Sequence, residues 1–112
     1  MFIMKIQPEY FEKIKNKQKI YEVRLLDEKR KQIKVGDSIV LKKEPELLEG
    51  VVIKITEVRH FNTFLEMATS LSIKDLGFEG GTVEDVNNAY HKIYSPVDEE
   101  RLGVVAFKFE LV

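Results

Sequence analysis

The chain of 112 residues contains no cysteine. This absence excludes disulfide bonds, catalysis by a thiolate and zinc sites with cysteine ligands. The sequence also lacks any apolar run near the roughly 20 residues that a membrane-spanning helix needs. Residues 1–5 form too short a segment, and a wrongly ordered one, for a secretory signal. We therefore expect a cytoplasmic protein with no membrane partner.

What is present is typical of one globular domain, which we predict to span residues 1–112. Hydrophobic residues make up 44% and charged residues 33% of the chain, and this length can bury a single core. The net charge of −1 hides an asymmetry, because residues 12–34 hold nine basic and four acidic side chains. Such a basic surface is suited to contact with a polyanion at one face. It does not indicate strong nonspecific binding to duplexes, which needs many phosphate contacts. A solvated, lysine-rich helix and loop would produce the same pattern.

The pattern of apolar residues, glycine and proline predicts five strands and three helices. We place the strands at 2–6, 19–26, 38–41, 51–59 and 104–112, and the helices at 8–17, 63–68 and 82–94. Ser95 and Pro96 are expected to stop the last helix. Several strands follow one another without a crossover helix, so the sheet is largely antiparallel or mixed. The predicted fold is α+β, a small mixed or antiparallel β-barrel with peripheral helices.

Two opposite charges mark the strand predicted at 19–26. Glu22 and Arg24 lie two residues apart, so their side chains share one face of the strand with Ile20 and Leu26. Charges among apolar residues are costly unless they are paired or bind something. Two interpretations stay open. The pair is either ligand-facing, with Arg24 on a phosphate or base edge and Glu22 on an exocyclic amine, or a structural ion pair.

Several other side chains could carry chemistry. Lys19, just before the charged pair, is either an amine with a lowered pKa or an ordinary surface lysine. Tyr90 and Tyr94 are spaced four apart on the last helix and are predicted to pack, with one hydroxyl reaching a cleft. His60 and His91 lack the spacing of metal ligands. We therefore predict no metal site and no cofactor.

Three segments resemble the ASCH domain family. Residues 17–24 read Lys-x-Lys-x-x-Glu-x-Arg, similar to the Gly-x-Lys-x-x-Glu-x-Arg signature of that family, with lysine where the family usually has glycine. Residues 34–41 read Lys-Val-Gly-Asp-x-Ile-x-Leu and resemble its second hallmark. The closing Gly-Val-Val-Ala-Phe-Lys-Phe at 103–109 resembles its last strand. The resemblance implies a β-barrel similar to the PUA domain, with a cleft beside it.

The resemblance also implies recognition of RNA, a nucleotide or a modified nucleoside. Our preferred hypothesis is a non-catalytic binding module whose cleft uses Lys19, Glu22 and Arg24. Nearby lysines are predicted to form a basic rim to this cleft, namely Lys13, Lys15 and Lys17. A further interpretation is an interaction domain in which the charged pair is purely structural.

An alternative hypothesis is a small hydrolase. A bacterial branch of the ASCH family hydrolyses the acetyl amide of N(4)-acetylcytidine with a lysine and a threonine of the signature strand and a glutamate of a later loop. Side by side, the motifs place that lysine on Lys19 and that glutamate near Glu79, which would act as acid and base. The threonine falls on Glu22, so the nucleophilic hydroxyl is missing. Glutamate at this position favours binding over hydrolysis.

Overall fold

The computed structural model describes residues 1–112 and contains five strands and four helices. The strands are β1 (Phe2–Ile6), β2 (Tyr21–Leu25), β3 (Ser38–Lys43), β4 (Gly50–Phe61) and β5 (Val104–Leu111). The helices are α1 (Pro8–Lys15), α2 (Phe64–Ser70), α3 (Val83–His91) and α4 (Pro96–Leu102). None of the helices has the length and apolar character to cross a membrane.

The strands form one curled sheet in the order β1-β3-β4-β5-β2. β1 runs parallel to β3, while every other neighbouring pair is antiparallel. The sheet closes only half of a barrel, and the helices lie around it. The predicted α+β fold with a mixed sheet and peripheral helices is confirmed. β1 and β2 are the two edges of the half-barrel, and the gap between them is called the seam below.

Two hydrophobic clusters lie on opposite faces of the sheet, and the second packs against β2 and the start of β5. Val105, Phe107 and Phe109 of β5 point into the first cluster, which fills the inside of the half-barrel beneath α1. Val104 and Ala106 point into the second cluster, beneath α2 and α3. Because helices also cover the opposite face, β5 is buried at successive positions, as strands covered on both faces are.

Ser95 and Pro96 begin a helix, which the sequence interpretation missed. The Ser95 hydroxyl accepts a hydrogen bond from the Asp98 N–H at 3.1 Å, and Pro96 occupies the first turn of α4. Proline is favoured there because the first N–H groups of a helix have no partner within it. The prediction that these residues only end the preceding helix is therefore wrong.

The turn between α1 and β2 is tighter than predicted. Lys17 has a φ of +63°, so α1 cannot continue through it and ends at Lys15. Lys19 pairs with Leu76 only through an isolated antiparallel bridge, and β2 begins at Tyr21. This turn brings Lys19 under α3 and the loop before it, where a buried environment replaces the surface position considered from sequence.

Candidate functional site

A small cleft of about 130 Å³ opens at the seam between β1 and β2. Three charged side chains selected from the sequence line the cleft: Glu22 and Arg24 of β2, and Lys19 just before that strand. Three tyrosines complete the walls, Tyr10 from α1, Tyr90 from the end of α3 and Tyr94 from the turn that follows it. The remaining lining comes from both edge strands and adjoining segments: Lys5, Ile6, Gln7, Val23, Glu44 and Ile93.

Arg24 links the two edges of the half-barrel. Its Nη2 donates to the carbonyl oxygen of Lys5 on β1 at 2.7 Å. The next basic residue along this edge, Lys29, donates from Nζ to the carbonyl oxygen of Ile3 at 3.0 Å. Side chains therefore bridge the seam where no backbone ladder joins β1 to β2. Burial is the largest single effect and disfavours the guanidinium charge, but Glu22, Tyr94 and Tyr90 together outweigh it and raise the pKa of Arg24.

The carboxylate of Glu22 has one satisfied and one unsatisfied oxygen. Glu22 is buried, with only 5% of its surface exposed. Its Oε1 accepts a hydrogen bond from the Val23 N–H at 3.1 Å. Its Oε2 lies 3.6 Å from Arg24 Nη2, within ion-pair range but without a hydrogen bond. Because buried polar atoms nearly always have a partner, this oxygen is suited to accept a hydrogen bond from a group entering the cleft.

Lys19 is buried, with an exposed fraction of 1%. Its Nζ donates to the carbonyl oxygen of Leu76 at 3.2 Å and to the Tyr90 hydroxyl at 3.4 Å. It also lies 5.5 Å from the centre of the Tyr10 ring. Burial lowers the pKa of Lys19 to about 8, although the Glu22 carboxylate acts in the opposite direction. The amine can thus gain or lose a proton near neutral pH.

The tyrosines are held from behind by an aromatic stack. Phe64 of α2 stacks on Tyr90 at a centroid distance of 5.0 Å and on Tyr94 at 5.5 Å. Burial raises the pKa of Tyr90 well above its ordinary value, and it also raises that of Tyr94. These hydroxyls therefore stay protonated and act as hydrogen-bond donors or acceptors rather than as nucleophiles.

The predicted basic rim is not at the cleft. The Nζ of Lys13 donates to the Gly77 carbonyl at 2.7 Å, and that of Lys15 to Glu49 at 2.8 Å. Lys17 lies in a separate groove beside Phe109. The three lysines therefore lie on other surfaces. Lys5, which the sequence interpretation missed, is the additional basic residue that lines the cleft.

Glu79 also lies outside the cleft. It lines a different depression with Lys13, Gln18 and Gly77. Its loop turns back on itself, since the Gly81 N–H donates to the Phe78 carbonyl at 2.8 Å. The structure therefore does not bring Glu79 together with Lys19 on one cleft, as the hydrolase hypothesis requires.

No group of three or more histidine or acidic side chains is arranged to hold a metal ion. His91 lies at the end of α3, and its Nε2 is 2.8 Å from Oε1 of Glu99. The other oxygen of Glu99 accepts a hydrogen bond from the Phe64 N–H at 2.7 Å. This buried carboxylate joins α2, α3 and α4 behind the aromatic stack. Local sequence could not reveal it, because its partners are 8 and 35 residues away.

The family model for the ASCH domain matches residues 4–112. The chain belongs to the ASCH domain family. Hypothetical protein PH0355, seen in a crystal structure, is 32% identical over 99% of this chain and 98% of its own, with a TM-score of 0.85. Protein PF0455 from Pyrococcus furiosus, solved by NMR, is 31% identical over 99% and 96%, with a TM-score of 0.75.

A more distant ASCH domain, from Lactobacillus crispatus JV V101, is similar in fold. It is 17% identical over 98% of this chain and 79% of its own, with a TM-score of 0.55. No curated protein matches the chain. The comparisons therefore establish an ASCH domain with a PUA-like half-barrel, and the signature positions 19, 22 and 24 of this ASCH domain are those that line the cleft.

Proposed function

We propose that this ASCH domain binds a single nucleobase in its cleft, presented by RNA, a nucleotide or a modified nucleoside, without catalysing a reaction. ASCH domains generally bind nucleic acids. The observation that carries the proposal is the free Oε2 of buried Glu22 beside the cations Lys19 and Arg24. One acceptor flanked by two donors is complementary to the edge of a base that offers an amine beside ring acceptors. We also infer a cytoplasmic location, where a cysteine-free RNA-binding domain would meet such ligands.

The size and walls of the cleft support a base-sized ligand. At about 130 Å³ it is smaller than the roughly 300–1,000 Å³ of sites for drug-sized molecules. Tyr10, Tyr90 and Tyr94 offer aromatic surface on which a base can pack, and such contacts are common in the recognition of single-stranded nucleic acids. Lys5 at the mouth is placed to meet a phosphate attached to the bound nucleoside.

The test is a titration of isotope-labelled protein with the four ribonucleosides, their monophosphates and a short single-stranded RNA, followed by NMR. We expect shifts at the amides of residues 19–24 and 90–94. Glu22→Gln should weaken binding by about tenfold, because it removes a charged acceptor. Glu79→Gln is the matched control and should bind like the native protein. Shifts confined to other surfaces, or equal affinities of the two variants, would contradict the proposal.

Hydrolysis is the second candidate, and the lowered pKa of Lys19 is the observation in its favour. A lysine with a pKa of about 8 can exchange protons with a substrate near neutral pH. The hydroxyls that line the cleft, however, belong to tyrosines whose pKa values are raised by burial. The cleft thus contains no activated nucleophile of the kind used in covalent catalysis.

We expect hydrolysis of N(4)-acetylcytidine to be absent, or much slower than in family members with threonine at the position of Glu22. Purified protein is incubated with the nucleoside and the release of cytidine is followed by chromatography. Efficient turnover that disappears in both Lys19→Ala and Glu79→Ala would replace the binding proposal with the hydrolase. Turnover lost in Lys19→Ala alone would assign the chemistry to the cleft without Glu79.

A further inference from the structure

A continuous aliphatic row crosses the outer face of the half-barrel. Ile3 of β1 is paired with Val40 of β3, and Val40 with Val52 of β4. The N–H of Val112 donates to the Val52 carbonyl at 3.1 Å, which extends the row across a fourth strand. Alternation places these four side chains on the face opposite the core. Ile3 is 54% exposed, Val52 36% and Val112 82%, so this aliphatic row lies open to solvent.

Isolated exposed aliphatic residues are common, but a contiguous row often marks a site of interaction. The row spans three strand spacings, or about 14 Å. Positions i to i+7 on one face of an α-helix cover a similar length, about 10 Å. An amphipathic helix laid across the strands could therefore bring two turns of apolar side chains onto the row.

The charges beside the row indicate the sign of the partner. Lys5 and Lys42 are paired on one side of it, and Lys54 lies on the other, opposite Glu110. Three lysines against one acid give the face an excess positive charge. Two copies of this face packed together would bring like charges into contact, which opposes self-association. The row itself carries no aromatic ring for stacking on bases, so it differs from surfaces that bind single-stranded RNA.

We propose that this face docks a protein partner through an amphipathic helix whose aliphatic stripe is flanked by carboxylates. The helix would bury Ile3, Val52 and Val112, and its acids would meet the surrounding lysines. Lys5 belongs both to this face and to the lining of the cleft. A helix bound here would therefore lie beside the mouth of the cleft without filling it.

The probe is a synthetic helical peptide with leucines at i, i+3, i+4 and i+7 and glutamates elsewhere, compared with the same peptide carrying lysines. We expect the acidic peptide to shift the resonances of Ile3, Val40, Val52 and Val112, with an affinity that falls as salt is added. The basic peptide should bind at least about tenfold more weakly. No binding of either peptide, or equal binding of both, overturns the proposal.

Two pairs of substitutions test the surface itself. The combined change Ile3→Thr and Val52→Thr keeps β-branched residues in the strands and should weaken binding by at least about tenfold. The matched control, Leu65→Thr with Val97→Thr, alters exposed aliphatic residues on α2 and α4 and should bind normally. Amide spectra report whether each variant folds.

A charge reversal keeps the proposal testable if the threonine variant does not fold. Lys42→Glu with Lys54→Glu should transfer the preference from the acidic to the basic peptide, whereas Lys74→Glu with Lys92→Glu should not. An unchanged preference overturns the proposal. Sedimentation gives a second contradicting outcome, in which the native protein is a dimer and the threonine variant is a monomer. A second copy of the chain, rather than a partner helix, would then cover the face. Binding to vesicles of phosphatidylserine but not to the acidic peptide would assign the face to a lipid surface instead.

Discussion

At the scale of single residues, burial decides the chemistry of Lys19. Its position between α1 and β2 gives no sign of burial in the sequence, yet the amine is enclosed by Leu76, Tyr90 and Tyr10. The two hydrogen bonds at 3.2 and 3.4 Å are long for a charged donor. Removal from water therefore outweighs the attraction of Glu22 and lowers the pKa.

The stability of the protein should rise with pH through Lys19. The folded pKa of about 8 lies below the ordinary value of 10.5, so between these values the unfolded chain binds more protons. The free energy of unfolding then increases with pH over this window, by up to about 3 kcal/mol. Below pH 8 both states are protonated and the slope disappears.

Denaturant midpoints of the native protein and Lys19→Met, measured from pH 7 to pH 10, test this dependence. The native protein should gain stability relative to the variant as pH rises through 8. Lys17→Met provides the control for removing a lysine, because Lys17 is exposed. Native and Lys19→Met curves that stay parallel would show that the amine titrates normally in the fold.

Lys17 is the residue at which backbone conformation conflicts with side-chain type. Its φ of +63° falls in the left-handed region, which costs most residues about 1–2 kcal/mol and glycine much less. The family usually has glycine here, and the turn explains that usage. Lys17→Gly should raise the free energy of unfolding by about 0.5–1 kcal/mol after the extra freedom of glycine in the unfolded chain is counted.

Thermal or denaturant unfolding checks the sign of this change. Lys15→Gly is the matched substitution inside the last turn of α1, and it should lower stability by about 1 kcal/mol. Opposite signs for two glycine substitutions two residues apart would follow from the backbone alone. A destabilising Lys17→Gly would mean that the turn is not left-handed in solution.

At the scale of elements, α2 and α4 position Tyr90 of α3 and Tyr94 in the turn after it. Glu99 of α4 accepts from the first N–H of α2 and contacts His91 at the end of α3. Phe64 of α2 then stacks on Tyr90 and Tyr94, whose other edges line the cleft. The charged side of the cleft comes from β2, and the aromatic side depends on this three-helix arrangement.

Phe64→Leu should affect both stability and binding. Loss of two stacked contacts and of buried volume should cost about 1–3 kcal/mol, and nucleoside affinity should fall severalfold because the tyrosines lose their support. Phe109→Leu, in the other hydrophobic cluster, should lower stability by a similar amount with little effect on affinity. Unfolding curves and NMR titrations of both variants separate the two effects. Equal losses of affinity would show that the aromatic stack has no special role.

At the scale of the whole molecule, ion pairs reduce the basic character that the sequence indicates. Five basic residues of segment 12–34 pair with acids in the structure: Lys13, Lys15, Arg24, Arg30 and Lys31. Some of the acids lie outside the segment, such as Glu49. The asymmetry predicted from the sequence is therefore smaller on the folded surface, and the net charge of −1 offers no strong field for a polyanion.

Binding to single-stranded RNA should accordingly depend only weakly on salt. With one or two phosphate contacts beside the cleft, the slope of log K against log salt should be about −1, since each contact on a single strand contributes roughly −0.7. Duplex RNA, whose bases cannot enter the cleft, should bind negligibly. Fluorescence titrations at several salt concentrations measure both. A slope steeper than about −4 would indicate an extended phosphate-binding surface instead.

The sequence by itself determined the class of fold and the strand that carries the charged site. Alternating apolar residues, capping residues and the ASCH signature are local patterns, and each acts within a few residues along the chain. They were sufficient to predict an α+β fold with a small barrel-like sheet, which the structure shows closing only half of a barrel, and to select Lys19, Glu22 and Arg24 as candidates. Helix α4 was not predicted, because a proline can mark the beginning of a helix as well as its end.

Only the tertiary structure decided what surrounds those three residues. At the seam, Arg24 of β2 contacts Lys5 of β1. Lys19 is enclosed by residues more than 50 positions later in the chain, such as Leu76. The same folding carried Glu79 and the predicted rim lysines to other surfaces. Burial, pKa and the membership of a cleft arise from such long-range contacts. A pattern confined to one segment of the sequence cannot reveal these long-range contacts.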